Sequence, residues 1–439
     1  MANPGTAPRA SGAGGSASTR WIQLVAAIAA MVAIANLQYA WTLYVPEIER
    51  VHGWSRASIQ TAFTIFVVFQ TWLTPVGGSL LDRYGPRALM IVGGICAGLS
   101  WLLDAYASSL TAFYVAAIIG GIGAGTVYLT AANVAVVWFA DRRGLAAGLV
   151  GAGFGGGSAL TIIPIANLIK ESGYQAAFFW FAFIISAVII GAGLVIRAPR
   201  AGEAPEVTRP TQTRRNYTLG EAVRMPVFYV MFLIVTCVIT GGLMAVAQLG
   251  LIAKDLGVKE MPVNAYFFTM AALPFALMMD RIVNGFSRPF FGWISDHIGR
   301  ENTMFVAFGL EGLGILALSE LGSNPWAFLL TSSVVFFAWG EIYSLFSAVT
   351  ADTFGTKHYG KIYGLLYCSK GVGALLVPLS NVMMEASGSW TGVLYLTAGM
   401  NFVAAIAALL LLKPMLRKHH ALSSEAPPIP TLVSRSAHA

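Results

Sequence analysis

Two cations stand inside stretches that otherwise hold apolar and small side chains: Arg288 in "VNGFSRPFFGW" and Lys370 in "LLYCSKGVG". A charge at the centre of a membrane span costs about 2.5 to 3.5 kcal/mol even on the lenient insertion scale, so each asks for a use. An arginine fork holds a carboxylate through two parallel hydrogen bonds, and a lysine ammonium adds a point charge at the other end. Together they predict an anionic ligand and suit a small dicarboxylate. The competing use is structural: Arg288 pairing with Asp280 or Glu341, and Lys370 with Glu341. The two uses can coexist. Trp339 and Tyr343, four residues apart, share a helix face and offer an indole and a hydroxyl donor. Arg281 precedes Arg288 by seven residues, on nearly the same face about 10 Å away, as a vestibule guide for anions or a partner of Asp280. Asp280 and Glu341 also raise proton coupling, because a buried carboxyl near cations can titrate.

The elements that would hold these residues are spans. The 439-residue chain is 56% hydrophobic and 11% charged, with a mean hydropathy of +0.70, far from the charged quarter of a soluble domain. A multi-pass, all-α membrane protein is predicted. Apolar segments recur at 22–45, 57–81, 88–108, 111–139, 144–168, 175–197, 226–253, 263–294, 303–321, 325–351, 361–386 and 390–413, each long enough to cross roughly 30 Å of hydrocarbon. That makes twelve helices, six and six. The break at 198–225, with Arg200, Arg209, Arg214, Arg215 and Arg224, reads as a cytoplasmic linker between an N-terminal half (21–197) and a C-terminal half (226–414). Residues 1–20 and 415–439 read as disordered cytoplasmic tails, and the former lacks the pattern of a cleaved signal. With both termini cytoplasmic, 19 of the 27 Lys and Arg fall on that side and 5 outside, which agrees with the positive-inside rule.

Other classes find little support. The basic residues sit in short hydrophilic breaks and form no nucleic-acid-binding domain, despite a net charge of +7. Cys96, Cys237 and Cys368 lie in apolar runs and offer neither a disulfide framework nor metal-ligand spacing. No zinc-protease, nucleophile-elbow or nucleotide-binding motif is present, so an enzyme, a sensor and an ATP-driven pump are all disfavoured, and no cofactor is expected.

The halves repeat. "GGSLLDRYGPR" (77–87) and "FGWISDHIGR" (291–300) share Gly78 and Gly292, Asp82 and Asp296, and Gly85 and Gly299, all 214 residues apart. A second echo pairs Gly144, Gly148, Gly155 and Gly157 with Gly360, Gly364, Gly371 and Gly373 at an offset of 216. In these registers Thr74-Pro75 answers Arg288-Pro289 and Phe154 answers Lys370, so only the second half carries the cations. Halves packed about a pseudo-two-fold axis would bring both cations to a central cavity. Asp82 and Arg83, with Arg87 beyond Gly85, sit at a helix end where an acid can meet a helix N-terminus or a basic partner from the other half. Asp296 and Arg300 stand in the weaker copy, where His297 replaces the first arginine.

This pattern, the twelve spans and the basic central loop resemble the major facilitator superfamily over residues 20–415. Within it, "NLQYAWTLYVPEI", "DRRGLAAGLVGAGFG", "SRPFFGWISDHIGR", "FAWGEIYSLF" and "YGLLYCSKG" resemble the bacterial oxalate/formate antiporter family. The resemblance implies alternating-access exchange, most simply oxalate in for formate out, in a bacterial inner membrane by a monomer. Proton-coupled carriage of lactate, pyruvate or a larger dicarboxylate is the alternative. It implies that Arg288 and Lys370 bind substrate, that Gln38, Tyr39, Tyr128, Trp339, Tyr343 and Tyr367 line the cavity, and that the duplicated motif is a cytoplasmic gate. Two departures bear on pocket shape: Tyr367 stands where the archetypal oxalate carrier has tryptophan, and Phe154 where it has tyrosine.

Overall fold

A computed structural model describes residues 13–425 except 201, 206–211, 214 and 266–267. Arg209 and Arg214 therefore lie outside the described residues, as do 1–12 and 426–439 of the expected tails.

The first half comprises α1 (Ala13–Tyr39), α2 (Trp41–His52), α3 (Arg56–Trp72), α4 (Thr74–Tyr106), α5 (Leu110–Trp138), α6 (Arg143–Gly156) and α7 (Ile162–Val195). A short α8 (Leu219–Ala222) sits in the linker. The second half holds α9 (Pro226–Asp255), β1 (Pro262–Ala265), β2 (Phe268–Ala271), α10 (Ala272–Ile298), α11 (Arg300–Leu321), α12 (Pro325–Trp339), α13 (Ile342–Phe354), α14 (Tyr359–Ser387), α15 (Thr391–Ala407) and α16 (Lys413–Glu425). The starts follow capping chemistry. Ser55 accepts from the Ser58 amide, Ser109 from Ala112, and Asn324 from Trp326 and Ala327 ahead of Pro325, each satisfying an orphan donor.

Eight helical stretches among the described residues are long and apolar enough to cross a membrane. Several expected spans are interrupted or fused. Gly85 divides α4 at φ +78° and Gly299 separates α10 from α11 at φ +94°, conformations that side chains other than glycine rarely adopt. These are the duplicated motif glycines, so the repeat encodes a corner of the chain. Where the eighth span is expected to start, residues 263–265 and 268–271 instead lie in two antiparallel strands in which Val263 pairs with Met270. Pro262 and the run of β-branched and aromatic residues favour extended backbone over helix there. The structure also carries helix into both expected tails, over residues 13–20 and 415–425. In the linker, the Arg197 fork and the Arg200 amide hold the Glu203 carboxyl down at about 2, so it stays ionised.

Side chains such as Trp180, Phe183, Leu233, Leu313 and Leu410 face outward and exposed, as a lipid-facing surface requires. Inside, one apolar core runs through the first half and across to α13 and α14. A smaller one lies among α9, α10, α11, α12 and α15. The halves meet in two equivalent crossings. A Cβ on Gly144 of α6 would strike the Gly292 carbonyl of α10, and one on Gly148 would strike that of Arg288. In the mirrored crossing, Gly78 of α4 faces the Gly360 carbonyl of α14, and Gly364 faces that of Thr74. Every member of one set answers a member of the other at the 214 and 216 offsets. Small residues let the backbones touch in both places.

Candidate functional site

Helix breaks converge at the middle of the bundle. Helix α1 stops at Tyr39, α3 yields to α4 at Leu73, α6 ends at Gly156 before a single tighter turn, and Gly340-Glu341 parts α12 from α13. Irregular backbone at such depth is tolerated where it lines a cavity. The α1 and α6 breaks are tied together, since Thr161 donates its hydroxyl to Asn36 Oδ1.

Arg288 enters this region from α10, and the glycine face of α6 makes its room. A Cβ on Gly151 would stand 3.2 Å from Arg288 Cδ, and one on Gly155 3.0 Å from Nε. The side chain is 1% exposed. Its Nη2 donates to Asn284 Oδ1 at 3.2 Å, and the guanidinium carbon lies 5.4 Å from the Tyr343 ring centroid. Asn284 in turn donates to the Phe336 carbonyl at 3.0 Å, near the end of α12, so the α12 break orients the arginine. Arg288 Nε and Nη1 have no partner.

Lys370 arrives from α14, 6% exposed. Its ammonium lies 3.5 Å from Gln70 Oε1 at the end of α3 and 3.4 Å from Tyr367 Oη, both long for charged hydrogen bonds. The Tyr367 and Tyr343 ring centroids are 5.5 and 5.9 Å away. Neither cation has a carboxylate oxygen within 4.0 Å among the described residues, so neither structural ion pair with Asp280 or Glu341 is formed.

A cavity of about 30 Å³, room for roughly two waters, lies between the cations. The residues that the sequence points to, Gln38, Tyr39, Tyr128, Arg288, Trp339, Tyr343, Tyr367 and Lys370, all border it, with Phe154 and Leu243. Tyr128 stacks on Tyr367 at 5.0 Å, while Tyr39 and Tyr128 meet Phe154 edge-on at 5.4 and 5.3 Å. Phe154 thus supplies an apolar wall where a tyrosine would add a hydroxyl. Among the lining residues, Trp339 Nε1 joins the two arginine nitrogens as a buried donor without a partner, against one orphan acceptor, Gln38 Oε1. Buried polar groups are almost always hydrogen-bonded, so a donor-rich chamber of this kind fits an anion.

The three flanking ionisable residues go separate ways. Arg281 lies 5.0 Å over Tyr39, joining a half-buried cation to a cavity wall. Asp280, 1% exposed, instead accepts from Ser332 and Ser333 of α12, both at 3.3 Å. Glu341 is fully buried at the α12–α13 break and neither carboxylate oxygen meets another residue's donor.

The duplicated motif occupies the face of the bundle where the linker lies. Asp296 accepts from the Gly144 and Leu145 amides at 3.3 and 3.0 Å, which caps α6 across the halves. Asp82 likewise meets the Gly360 and Lys361 amides at the start of α14. An acid at a helix N-terminus is favourable twice over, through the orphan amides and the helix dipole. Arg300 bonds Asp296 at 2.7 Å and Asp352 at 3.0 Å, and Arg143 bonds Asp352 at 2.7 Å. Arg87 donates to the Ile196 carbonyl at 3.3 Å, and Arg83 stays exposed over its neighbour Tyr84.

Arg143, Asp352, Asn284, Gln70 and Glu311 escape the sequence reading. Asn284 precedes Arg288 by four residues on the same face, a usable signal. Glu311 interrupts the apolar run "VAFGLEGLGIL", a flag as plain as Arg288 itself. The Arg143–Asp352 contact spans the two halves and carries no local signal.

The sequence profile described as Major Facilitator Superfamily matches residues 26–285 and 282–437. The oxalate:formate antiporter of Oxalobacter formigenes is 33% identical over 390 residues, covering 88% of this chain and 90% of its own. The monocarboxylate transporter 13 of Bos taurus is 25% identical, over 81% of this chain and 80% of that one. Among solved structures, the proton:xylose symporter XylE superposes with a TM-score of 0.69 at 13% identity, over 93% of this chain and 99% of that one. The Escherichia coli fucose:proton symporter FucP does so at 0.64 and 14%, over 92% and 98%. The glycine-paired halves, the repeated acid-capped corner and these likenesses agree: the chain belongs to the major facilitator superfamily and is a membrane-embedded relative of the oxalate:formate antiporter.

Proposed function

We propose that this protein is an alternating-access antiporter of small carboxylates that takes oxalate inward and releases formate outward. The observation that carries the reading is the pair Arg288 and Lys370, two buried cations facing one small chamber with no carboxylate among the described residues in ion-pair contact with either. A formate-sized acid is of the chamber's scale, and a dicarboxylate requires the halves to part. The likeness to an oxalate:formate antiporter supports the same substrates. In this reading Arg288 grips one carboxylate through its fork, Lys370 attracts the other end, and Trp339, Tyr343, Tyr367, Tyr128, Tyr39 and Gln38 orient the oxygens. Arg281 guides anions toward the chamber. The carrier is a monomer in a bacterial inner membrane, with twelve crossings, both termini cytoplasmic and the linker face inward. Asp82 with α14, and Asp296, Arg300, Arg143 and Asp352 with α6, hold that face shut.

The test is counterflow in proteoliposomes preloaded with oxalate. Labelled oxalate should accumulate transiently, and external oxalate and formate should compete better than acetate, lactate or succinate. Failure of every small carboxylate to drive counterflow would end the reading. A second reading, proton-coupled carriage of monocarboxylates such as lactate or pyruvate, draws on the buried Asp280 and Glu341 and on the likeness to a monocarboxylate transporter. Uptake of labelled lactate driven by an imposed pH gradient, with no internal exchange partner, would favour it.

A further inference from the structure

Behind the chamber, away from the cavity lining, two carboxyl groups are buried. Glu311 of α11 and Glu341 at the α12–α13 break are both 0% exposed; the Glu341 oxygens meet no donor of another residue, and beside the Glu311 carboxyl stands the Asn401 side chain. They lie close enough to repel one another if both were ionised. Asn401 of α15, also 0% exposed, abuts Glu311, commits its amide to the Thr397 carbonyl at 3.2 Å, and leaves Oδ1 without a partner. The cation that faces Glu341 is Arg288, near enough to attract it yet beyond ion-pair distance.

The surroundings leave few other charges to settle this cluster. Helix α12 has no ionisable side chain, and α9 carries its charges, Lys254 and Asp255, only at its far end. Helix α10 offers Arg288, with Asp280 turned to the serines of α12 and Arg281 to Tyr39. Helix α13 contributes Tyr343, which senses both Arg288 and Glu311, and α14 contributes Lys370 beyond Arg288. Two ionised carboxylates cannot both persist in such a place, because desolvation and mutual repulsion act together. One negative charge can persist, held by Arg288.

We propose that Glu311 and Glu341 form a proton-binding pair coupled to the substrate site through Arg288. This rests on the reading of Arg288 as the substrate's carboxylate partner. In the empty carrier the pair keeps one proton and one negative charge, the latter on Glu341 facing Arg288. When an anion engages the guanidinium, Arg288 no longer compensates Glu341. A second proton then comes from bulk water, leaving two neutral carboxylic acids that can hydrogen-bond to each other and to Asn401 Oδ1. No bond other than O–H is made or broken. The loaded carrier therefore holds one proton more than the empty one, whichever carboxylate it carries.

The measurement is proton uptake by the purified, full-length carrier in weakly buffered detergent solution, read with a pH-sensitive dye as oxalate or formate is added. Binding is followed separately by ligand-induced thermal stabilisation. Wild type should take up about one proton per anion bound, and its affinity should rise as pH falls, by up to tenfold per unit across the titration of the pair. Glu341→Gln should bind anion with no proton uptake and a flat pH profile. Glu311→Gln replaces a neighbour that is already neutral, so uptake of about one proton per anion should survive, on Glu341. If either variant fails to fold, the wild-type stoichiometry still decides. Anion binding without proton uptake overturns the coupling and leaves the substrate reading standing. If no small carboxylate stabilises the carrier, the substrate reading falls and the coupling with it. Uptake that persists unchanged in Glu341→Gln overturns the assignment to this pair.

Discussion

Arg288 and Lys370 are both cations, yet a substitution removes different things from each. Arg288→Lys keeps the charge and discards the planar fork, and Asn284 and the Gly151–Gly155 face are shaped around that fork. It should lower kcat/KM for oxalate at least tenfold, about 1.4 kcal/mol, while the thermal unfolding midpoint stays near wild type. Wild-type affinity in that variant would refute the two-point contact. Lys370→Gln removes a point charge held only by long contacts to Gln70 and Tyr367. It should weaken binding of a dianion more than of a monoanion, which competition titrations with oxalate and formate would resolve. Arg281, half-buried over Tyr39, calls for a different measurement. As a guide it accelerates encounter and is screened beyond about 8 to 10 Å at physiological salt, so Arg281→Gln should slow uptake mainly at low ionic strength. A loss of saturable binding at high salt would place Arg281 in the site itself.

Among the elements, the α6–α10 contact combines a glycine crossing with a buried charge network. Asp352, 3% exposed, serves both Arg143 and Arg300. Asp352→Asn takes from Arg143 its ion-pair partner and leaves Arg300 with Asp296 alone, a loss of about 3 to 5 kcal/mol by comparison with other broken buried pairs. The unfolding midpoint in detergent should fall, and a cysteine placed nearby on the linker face should label faster. A midpoint unchanged within error would mean that water already screens the pair. This network also marks where sequence stops being legible. The apolar helical character, the repeat, the corner glycines and the residues that border the cavity could be read because apolar periodicity, offset identity and family likeness are local or registered signals. Arg143 with Asp352 could not, since 209 residues separate the partners and the pseudo-symmetric echo supplies no counterpart. The strands β1 and β2 are not legible, because a short apolar run carries no period that distinguishes helix from strand. Glu311 is legible, as a charge inside an apolar run.

At the scale of the whole carrier, the proposed site explains why exchange should prevail over leak. Closing both faces on an empty chamber would strip water from Arg288 and Lys370 with at most one carboxylate to compensate them, which is expensive in a low-dielectric interior. Oxalate supplies the missing charge even after Glu341 takes its proton, so the oxalate-loaded form occludes more readily than the empty one. Trading a dianion inward for a monoanion outward then moves one net negative charge, about 2.3 kcal/mol per 100 mV, and a proton carried on both legs leaves that balance unchanged. Heteroexchange in proteoliposomes should respond to an imposed potassium diffusion potential, and rapid efflux into substrate-free buffer would contradict the mechanism. The matched glycine crossings bear on how the halves move at all. With carbonyl against glycine at both contacts, no interlocked side chains must climb over one another when the halves rock, so the joint resembles a smooth bearing more than a pair of cogs. Friction in the transport cycle then resides in making and breaking the ionic clasps on the linker face, and turnover should be tuned by salt and by single charge substitutions there far more than by repacking the apolar core.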